Sequence, residues 1–380
     1  MSRQRIILSV TNDLVTDQRV HRSSTALTLA GYDVVLVGRR LPGSDPLDRP
    51  YRTVRMCLLF RRKALFYAEY NLRLLLRLLL SRADAFYAND TDTLPANYVA
   101  ARLRRKPLFF DAHEMFPEVP ELADRPRVKA VWTHIEDRIF PHLRHCCTVC
   151  QSIADIYRER YGVDMKVVRN VPMRSAASPI GIRPAKPSPV RTLLYQGAVN
   201  MGRGIEQLID AMPLLDGCRL LIAGTGDRYD ALRSLVRERR LDDRVVFLGR
   251  LPLERLRSVT LQADLGLSLL QNKGLNYYYS LPNRIADFAQ AGVPVLATDF
   301  PEIRRVVEQY GIGRLLPSGD ENTPAKLAAA IKATLHEWDS MPDDERQRRF
   351  DRAGKELSWD NDSHVLLGQI DAMMRHSHEN

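Results

Sequence analysis

The chain has 380 residues, 45% apolar and 27% charged, the composition of an ordinary globular protein with enough length for about two or three domains. Its 56 Lys and Arg outnumber 46 Asp and Glu, and the resulting +10 favours anionic partners such as nucleotides, phospholipid head groups or nucleic acid. Nucleic acid is disfavoured because the cations are scattered and not interleaved with aromatics in one element. From the N-terminus, short apolar runs alternate with helical patterns: Arg5 to Val10 then Val20 to Ala30, Val34 to Val37, Asp84 to Ala88 then Leu94 to Leu103, Leu108 to Phe110, and Thr148 to Val149 before a helix ending near Gly162. That rhythm predicts a parallel sheet covered on both faces. Residues 173–190 carry four prolines and no apolar period, which predicts a linker after a domain of residues 1–172. The pattern restarts at Arg191 to Tyr195 and continues to Gly313 to Leu316 as a second Rossmann-like domain over 191–358. Helices alone follow from Thr323, interrupted near Pro342 and Trp359.

The cysteines Cys57, Cys146, Cys147, Cys150 and Cys218 are odd in number and lie mostly in apolar runs, which argues for a reducing cytoplasm and against a disulfide framework. Cys146-Cys147-x-x-Cys150 has no second Cys or His pair at ligand spacing, so a buried strand is expected there and no metal. No apolar signal region precedes RIILSV, and no stretch reaches the ~18 apolar residues of a membrane span. The segment RRKALFYAEYNLRLLLRLLLSR, residues 61–82, carries six cations against Glu69. It reads either as a domain helix packed on the sheet with Arg62, Glu69, Arg73 and Arg77 on an exposed stripe, or as a peripheral contact with an anionic bilayer.

Chemistry concentrates at strand exits. Gly197, Gly202 and Gly204 with Arg203 follow a strand and open a helix, a pattern that offers backbone amides and a guanidinium to phosphate. Gly224 and Gly226 repeat the arrangement one unit later, and Leu248 ends an apolar strand whose exit has room for a base. In Pro282 to Gly292, Asn283, Arg284 and Asp287 begin a short helix stopped by Gly292. A charge near a helix N-terminus is the ordinary alternative for Asp287. In the first half, Leu108 to Asp111 leads into His113 and Glu114, with a helix-start role equally open to Glu114. The loops holding Asp13, Asp17 and Arg19, and Asn89, Asp90 and Asp92, open on the same edge and are acceptor-side candidates, with helix capping as the alternative for Asp90 and Asp92. Asn170 ends the last strand of this domain.

Gly197 to Gly204, Ala223 to Gly226, Val245 to Gly249 and Pro282 to Ala297, in this order and spacing, resemble the C-terminal domain of family 4 GT-B glycosyltransferases. Asp111 to Glu114 is similar to that family's histidine segment, so the likeness spans nearly the whole chain. It implies two Rossmann-like domains facing each other across a cleft, with residues 359–380 crossing back to the first. It further implies a nucleotide sugar as co-substrate with no cofactor or metal, and a saccharide or lipid-linked saccharide acceptor. Arg203 would take the diphosphate, Asp287 the ribose and His113 the donor sugar, while Asn170 matches a cleft asparagine. The pattern departs where the family has two glutamates about two helical turns apart, since Tyr279 and Asp287 stand here, and where Ala198 replaces an arginine. Arg284 and Asn283 stand beside those positions. The expected function is a retaining glycosyltransferase of polysaccharide or glycolipid synthesis. A same-fold nucleotide-sugar epimerase and a non-catalytic sugar- or membrane-binding protein are the alternatives.

Overall fold

The computed structural model describes residues 3–15, 17–174, 189–318 and 323–376; most of the expected linker, 175–188, lies outside them. The chain divides into two compact units, residues 1–170 with 362–380, and residues 171–361. Unit 1 is built on a parallel sheet of β1 (Arg5–Asp13), β2 (Asp33–Arg39), β3 (Arg52–Met56), β4 (Ala85–Asn89), β5 (Leu108–Ala112), β6 (His145–Thr148) and β7 (Lys166–Val167), in the order β3-β2-β1-β4-β5-β6-β7. Helices α1 (Gln18–Leu29), α2 (Lys63–Leu80), α3 (Leu94–Arg104), α4 (Pro126–Ile139) and α5 (Gln151–Tyr161) connect these strands. All five residues of β4 are buried, as a strand covered by helices on both faces requires.

Unit 2 repeats the plan with β8 (Arg191–Gln196), β9 (Cys218–Ala223), β10 (Val245–Gly249), β11 (Leu265–Ser268), β12 (Val295–Thr298) and β13 (Gly313–Leu316), in the order β10-β9-β8-β11-β12-β13. Its helices are α6 (Ile205–Ala211), α7 (Tyr229–Glu238), α8 (Leu253–Thr260), α9 (Leu275–Tyr278), α10 (Asn283–Gln290), α11 (Pro301–Tyr310), α12 (Pro324–Ser340) and α13 (Asp343–Glu356). One apolar cluster sets α6, α7 and α12 against β8, β9 and β11; a second sets α10, α11 and α13 against the other face of the sheet. The last helix, α14 (Trp359–His376), starts in unit 2, where the Trp359 amide donates to the Pro172 carbonyl. It groups with unit 1 from Asp362 onward, pinned by Arg169 on Asp362 at 2.6 Å and by the Tyr32 hydroxyl on Asp371 at 2.6 Å.

In both sheets the strand order reverses beside the first strand, between β1 and β4 and between β8 and β11. That reversal parts the loops at the carboxyl ends of those strands, the place where open α/β sheets take ligands. Cys146 and Cys147 lie in β6, a buried strand as expected, and both are buried because β6 lies inside the sheet; Cys150 caps α5.

Candidate active site

In unit 2 the loop leaving β8 runs from Gly197 to Gly204. Gly197, Gly202 and Gly204 have φ of 125°, 78° and 71°, conformations that favour glycine. The two glycine turns pack on one another: a Cβ on Gly224 would fall 1.8 Å from the Gly197 carbonyl oxygen, and one on Gly226 2.4 Å from that of Val199. Gly204 is closed off by the Leu269 carbonyl at 2.3 Å. Gly224, Gly226 and Gly204 therefore bring backbone against backbone. Gly197 faces the Arg284 guanidinium and Gly202 faces Lys273 and Tyr277, so these two line the charged part of the loop.

Two guanidiniums define that part. Arg284, on the first turn of α10, is 6% exposed and lies 4.4 Å over the Tyr195 ring; Arg203 lies 4.6 Å over the Tyr277 ring. Arg203 Nε and Arg284 Nη1 are buried without a hydrogen-bond partner, and among the described residues neither side chain has an ion-pair partner. Burial pushes the Arg284 pKa down, and the neighbouring charge of Arg203 adds to the fall. Asp287 on the same helix offsets part of the unfavourable charge of Arg284.

Asp287 stands beyond the first turn of α10, so the helix-dipole role does not apply. Its carboxylate accepts from Gln196 Nε2 at 2.9 Å, and Gln196 Oε1 accepts from the Thr260 hydroxyl at 2.8 Å, a relay that fixes Asp287 from the end of β8. Asn283 is exposed at the start of α10, Leu248 is half-buried against the second apolar cluster, and Tyr279 caps α9. Sequence reasoning passed over Tyr195, Gln196, Thr260, Lys273 and Tyr277. The signal for Lys273 was a Lys-Gly turn just after β11, at the strand-order reversal.

Unit 1 builds a charged network at the corresponding edge. Arg19, 3% exposed, grips Asp111 as a fork, Nη2 to Oδ1 at 2.6 Å and Nε to Oδ2 at 3.2 Å, and donates from Nη1 to the Val168 carbonyl. Tyr87 donates its hydroxyl to Asp111 at 2.9 Å. His113 sits between two carboxylates, with Nδ1 3.1 Å from Asp90 and Nε2 3.3 Å from Asp111. Nε2 is buried and, though close to Asp111, is not aligned for a hydrogen bond. Burial opposes charge on His113, but Asp90 and Asp111 outweigh it and raise the pKa to about 10. The imidazole is thus held in its charged form at neutral pH by the two carboxylates. Asp90, at φ 61°, also accepts from the His113 amide at 2.7 Å.

Burial, then the charge of Asp90, pushes Asp92 up to about 8, while the Thr11 hydroxyl donates to it at 2.5 Å. Neither Asp90 nor Asp92 caps α3, whose cap is Thr93. Other candidates serve the framework. Asp13 accepts from the Val15 and Leu41 amides and from Arg55, Asp17 caps α1 through the Val20 amide, and Asn89 is buried on the Ser9 carbonyl. Asn170 accepts from Arg22. Glu114 precedes a short turn capped by Met115 and so does not start a helix; its carbonyl accepts from Tyr157. Asp90→Asn removes one of the two charges holding His113, and the His113 titration should move from about 10 toward the ordinary value near ~6.5. NMR titration of the imidazole checks this; an unmoved midpoint would rule out Asp90 as the orienting charge.

Residues 17–172 match the family described as Glycosyltransferase Family 4, and residues 190–337 that described as Glycosyl transferases group 1. A phosphatidyl-myo-inositol mannosyltransferase of Mycobacterium leprae is 31% identical over 189 residues, 47% of this chain and 45% of that protein. The chain thus spans less than half of that relative. A glycogen synthase of Mycobacterium tuberculosis is 24% identical over 84% of this chain and 81% of its own length. Among solved structures, a sucrose-phosphate synthase from Thermosynechococcus elongatus superposes with a TM-score of 0.77 at 18% identity, covering 99% of this chain and all of that one. Anabaena HepE in complex with UDP-glucose does so at 0.69 and 14%, covering 97% and 99%.

Proposed function

The chain belongs to the GT-B glycosyltransferases, a family 4 domain followed by a group 1 domain, and from that premise we propose that unit 2 holds a nucleoside diphosphate sugar by its diphosphate. The observation that carries this reading is the pair of buried Arg284 and half-buried Arg203, neighbours beside a glycine turn, each with a buried guanidinium nitrogen that lacks a hydrogen-bond partner. Each charge-assisted hydrogen bond to a phosphate oxygen would contribute about 1.5–3 kcal/mol. Lys273, against Gly202, is a third cation within reach of the loop. Asp287, fixed by Gln196, would take the ribose hydroxyls, and His113 would donate from Nε2 to a sugar oxygen.

Transfer breaks the bond from the anomeric carbon to the β-phosphate oxygen and forms one to the acceptor hydroxyl oxygen, whose proton leaves with the diphosphate. Negative charge gathers on the departing diphosphate, where the two guanidiniums would meet it, with no cofactor called upon. Retention of configuration belongs to the same proposal, the acceptor entering on the face that the diphosphate leaves. The mannosyltransferase and glycogen synthase relatives support a lipid-linked or saccharide acceptor, hence a role in polysaccharide or glycolipid synthesis at the inner face of a membrane.

A thermal-shift panel of UDP, GDP and ADP sugars tests the donor. The matching compound at 100 times its dissociation constant should stabilise by about 2.7 kcal/mol, and Arg203→Ala should abolish the shift. A panel without any shift would overturn the reading. Incubation with donor alone separates transfer from epimerisation, which would release free sugar without an acceptor.

A further inference from the structure

Away from the nucleotide loops, unit 1 presents a surface that is apolar and cationic together. Helix α2 buries Phe66, Tyr70, Leu74 and Leu78, one residue per turn. Leu65, Leu72, Leu76 and Leu80 point elsewhere and are 58%, 59%, 52% and 87% exposed. At 3.6 residues per turn these four leucines fall within roughly 80° of one another, on the side away from the buried stripe. The loop before the helix continues the patch with Leu59 and Phe60, 79% and 45% exposed. Scattered exposed leucines need no explanation; four aligned on one helix, continued by Leu59 and Phe60 of its leading loop, do.

The charges around the patch have one sign. Between residues 57 and 82 six cations face one acid, Glu69. That acid is already engaged: it accepts from the Leu59 and Phe60 amides at 3.0 and 2.8 Å and pairs with Arg73 at 2.7 Å. Glu69 thus holds up the loop that carries the exposed Leu59 and Phe60, and leaves Arg61, Arg62, Lys63, Arg77 and Arg82 unneutralised from within the segment. Under the loop lies a cavity of about 270 Å³ lined by Arg39, Arg40, Arg61, Leu58, Phe60 and Phe66. Arg39 lies 4.8 Å over the Phe66 ring, and its Nε is buried without a hydrogen-bond partner.

We propose that α2 and the loop before it lie in the interface of an anionic bilayer, with Leu59, Phe60 and the four exposed leucines at the acyl boundary and Arg39, Arg40 and Arg61 gathered on a lipid phosphate. A bilayer accepts a convex apolar helix face without shape complementarity, and anionic lipid answers the cations. A protein partner would need a matching acidic groove. The proposal stands on unit 1 alone and is independent of the donor reading.

Co-sedimentation of the full chain with vesicles tests it. Binding is expected to phosphatidylcholine vesicles containing phosphatidylglycerol and not to phosphatidylcholine alone, and it should weaken with salt. Each arginine removed near the surface should weaken binding about fivefold. Leu72→Glu with Leu76→Glu, both at exposed positions, should weaken it on the order of tenfold or more, with circular dichroism and the nucleotide-sugar thermal shift unchanged. Cys57 is exposed while the other four cysteines are buried, so a polarity-sensitive thiol dye there should shift to the blue on the mixed vesicles. Absence of binding, equal binding to neutral vesicles, or binding untouched by the paired glutamates would overturn the proposal. A lost nucleotide shift in otherwise folded wild-type protein bears only on the donor reading.

Discussion

Arg284→Met is expected to remove nucleotide-sugar binding while leaving the protein as stable as the wild type or more so. Arg284 is 6% exposed, has no ion-pair partner among the described residues, and keeps Nη1 buried and unbonded. Its charge is disfavoured by burial and by Arg203. What it gains in the free protein is the Tyr195 ring at 4.4 Å, a contact worth about 0.5–2 kcal/mol. Methionine keeps the stem and the contact with the ring while removing a charge whose burial costs several kcal/mol in an apolar setting. With diphosphate bound the balance reverses, since each lost charge-assisted bond costs about 1.5–3 kcal/mol, roughly a 10- to 150-fold loss of affinity. Thermal denaturation with and without the nucleotide sugar measures both halves. A variant that is destabilised and still binds would mean that Arg284 is a framework residue and that the anion site lies elsewhere.

The sheets were legible because their strands are apolar runs bounded by turns, and β1, β4, β8 and β12 lie where such runs predict them. β3 was not, because Arg52–Met56 is an edge strand with half-buried, charged positions that break the apolar signal. On α2, periodicity located the helix, which packs on the sheet through Tyr70, Leu74 and Leu78 as one of the two readings expected, while Leu65, Leu72, Leu76 and Leu80 are exposed as the pattern alone did not show. The nucleotide loop was legible in part. A guanidinium in a glycine turn and one at a helix start are local patterns, and Arg203 and Arg284 are visible as such. Glycine alone does not say what occupies the space of its missing Cβ: for Gly224 it is the Gly197 carbonyl, a contact between strand exits distant in sequence. The Arg19 fork on Asp111 joins residues 92 positions apart, and the Gln196 bond to Asp287 joins residues 91 apart. Neither link leaves a local trace.

Asp111→Asn should be the most damaging single change to the stability of unit 1. Arg19 and Asp111 are both buried, and their pairing offsets the cost of taking two charges out of water only while both are present. Asparagine keeps the shape and leaves Arg19 charged and unpaired. It also deprives His113 of one of the two carboxylates that keep it protonated. Breaking such a pair from one side costs about 3–5 kcal/mol. The pH dependence identifies the cause. Burial opposes ionisation of Asp111, but Arg19 and then His113 hold its pKa well below the usual carboxylate value. A depressed acid contributes stability that is present above its unfolded pKa near ~3.9 and is lost as pH falls below it. His113, raised to about 10, contributes stability present below its unfolded value near ~6.5 and lost as pH rises toward 10. Asp92, pushed up to about 8, is penalised for ionising and costs stability as pH rises from about 3.9 to 8, so it joins the His113 loss only between about pH 6.5 and 8. Urea unfolding of the wild type should therefore weaken below about pH 4 and again between about pH 6.5 and 10. Asp111→Asn should lie well below the wild type at pH 7, and the gap should narrow as pH falls below about 3.9, where protonation of this carboxylate in the unfolded wild type erodes the advantage of the charged pair. A gap that stayed constant with pH would assign the damage to lost packing and not to the unpaired charge of Arg19.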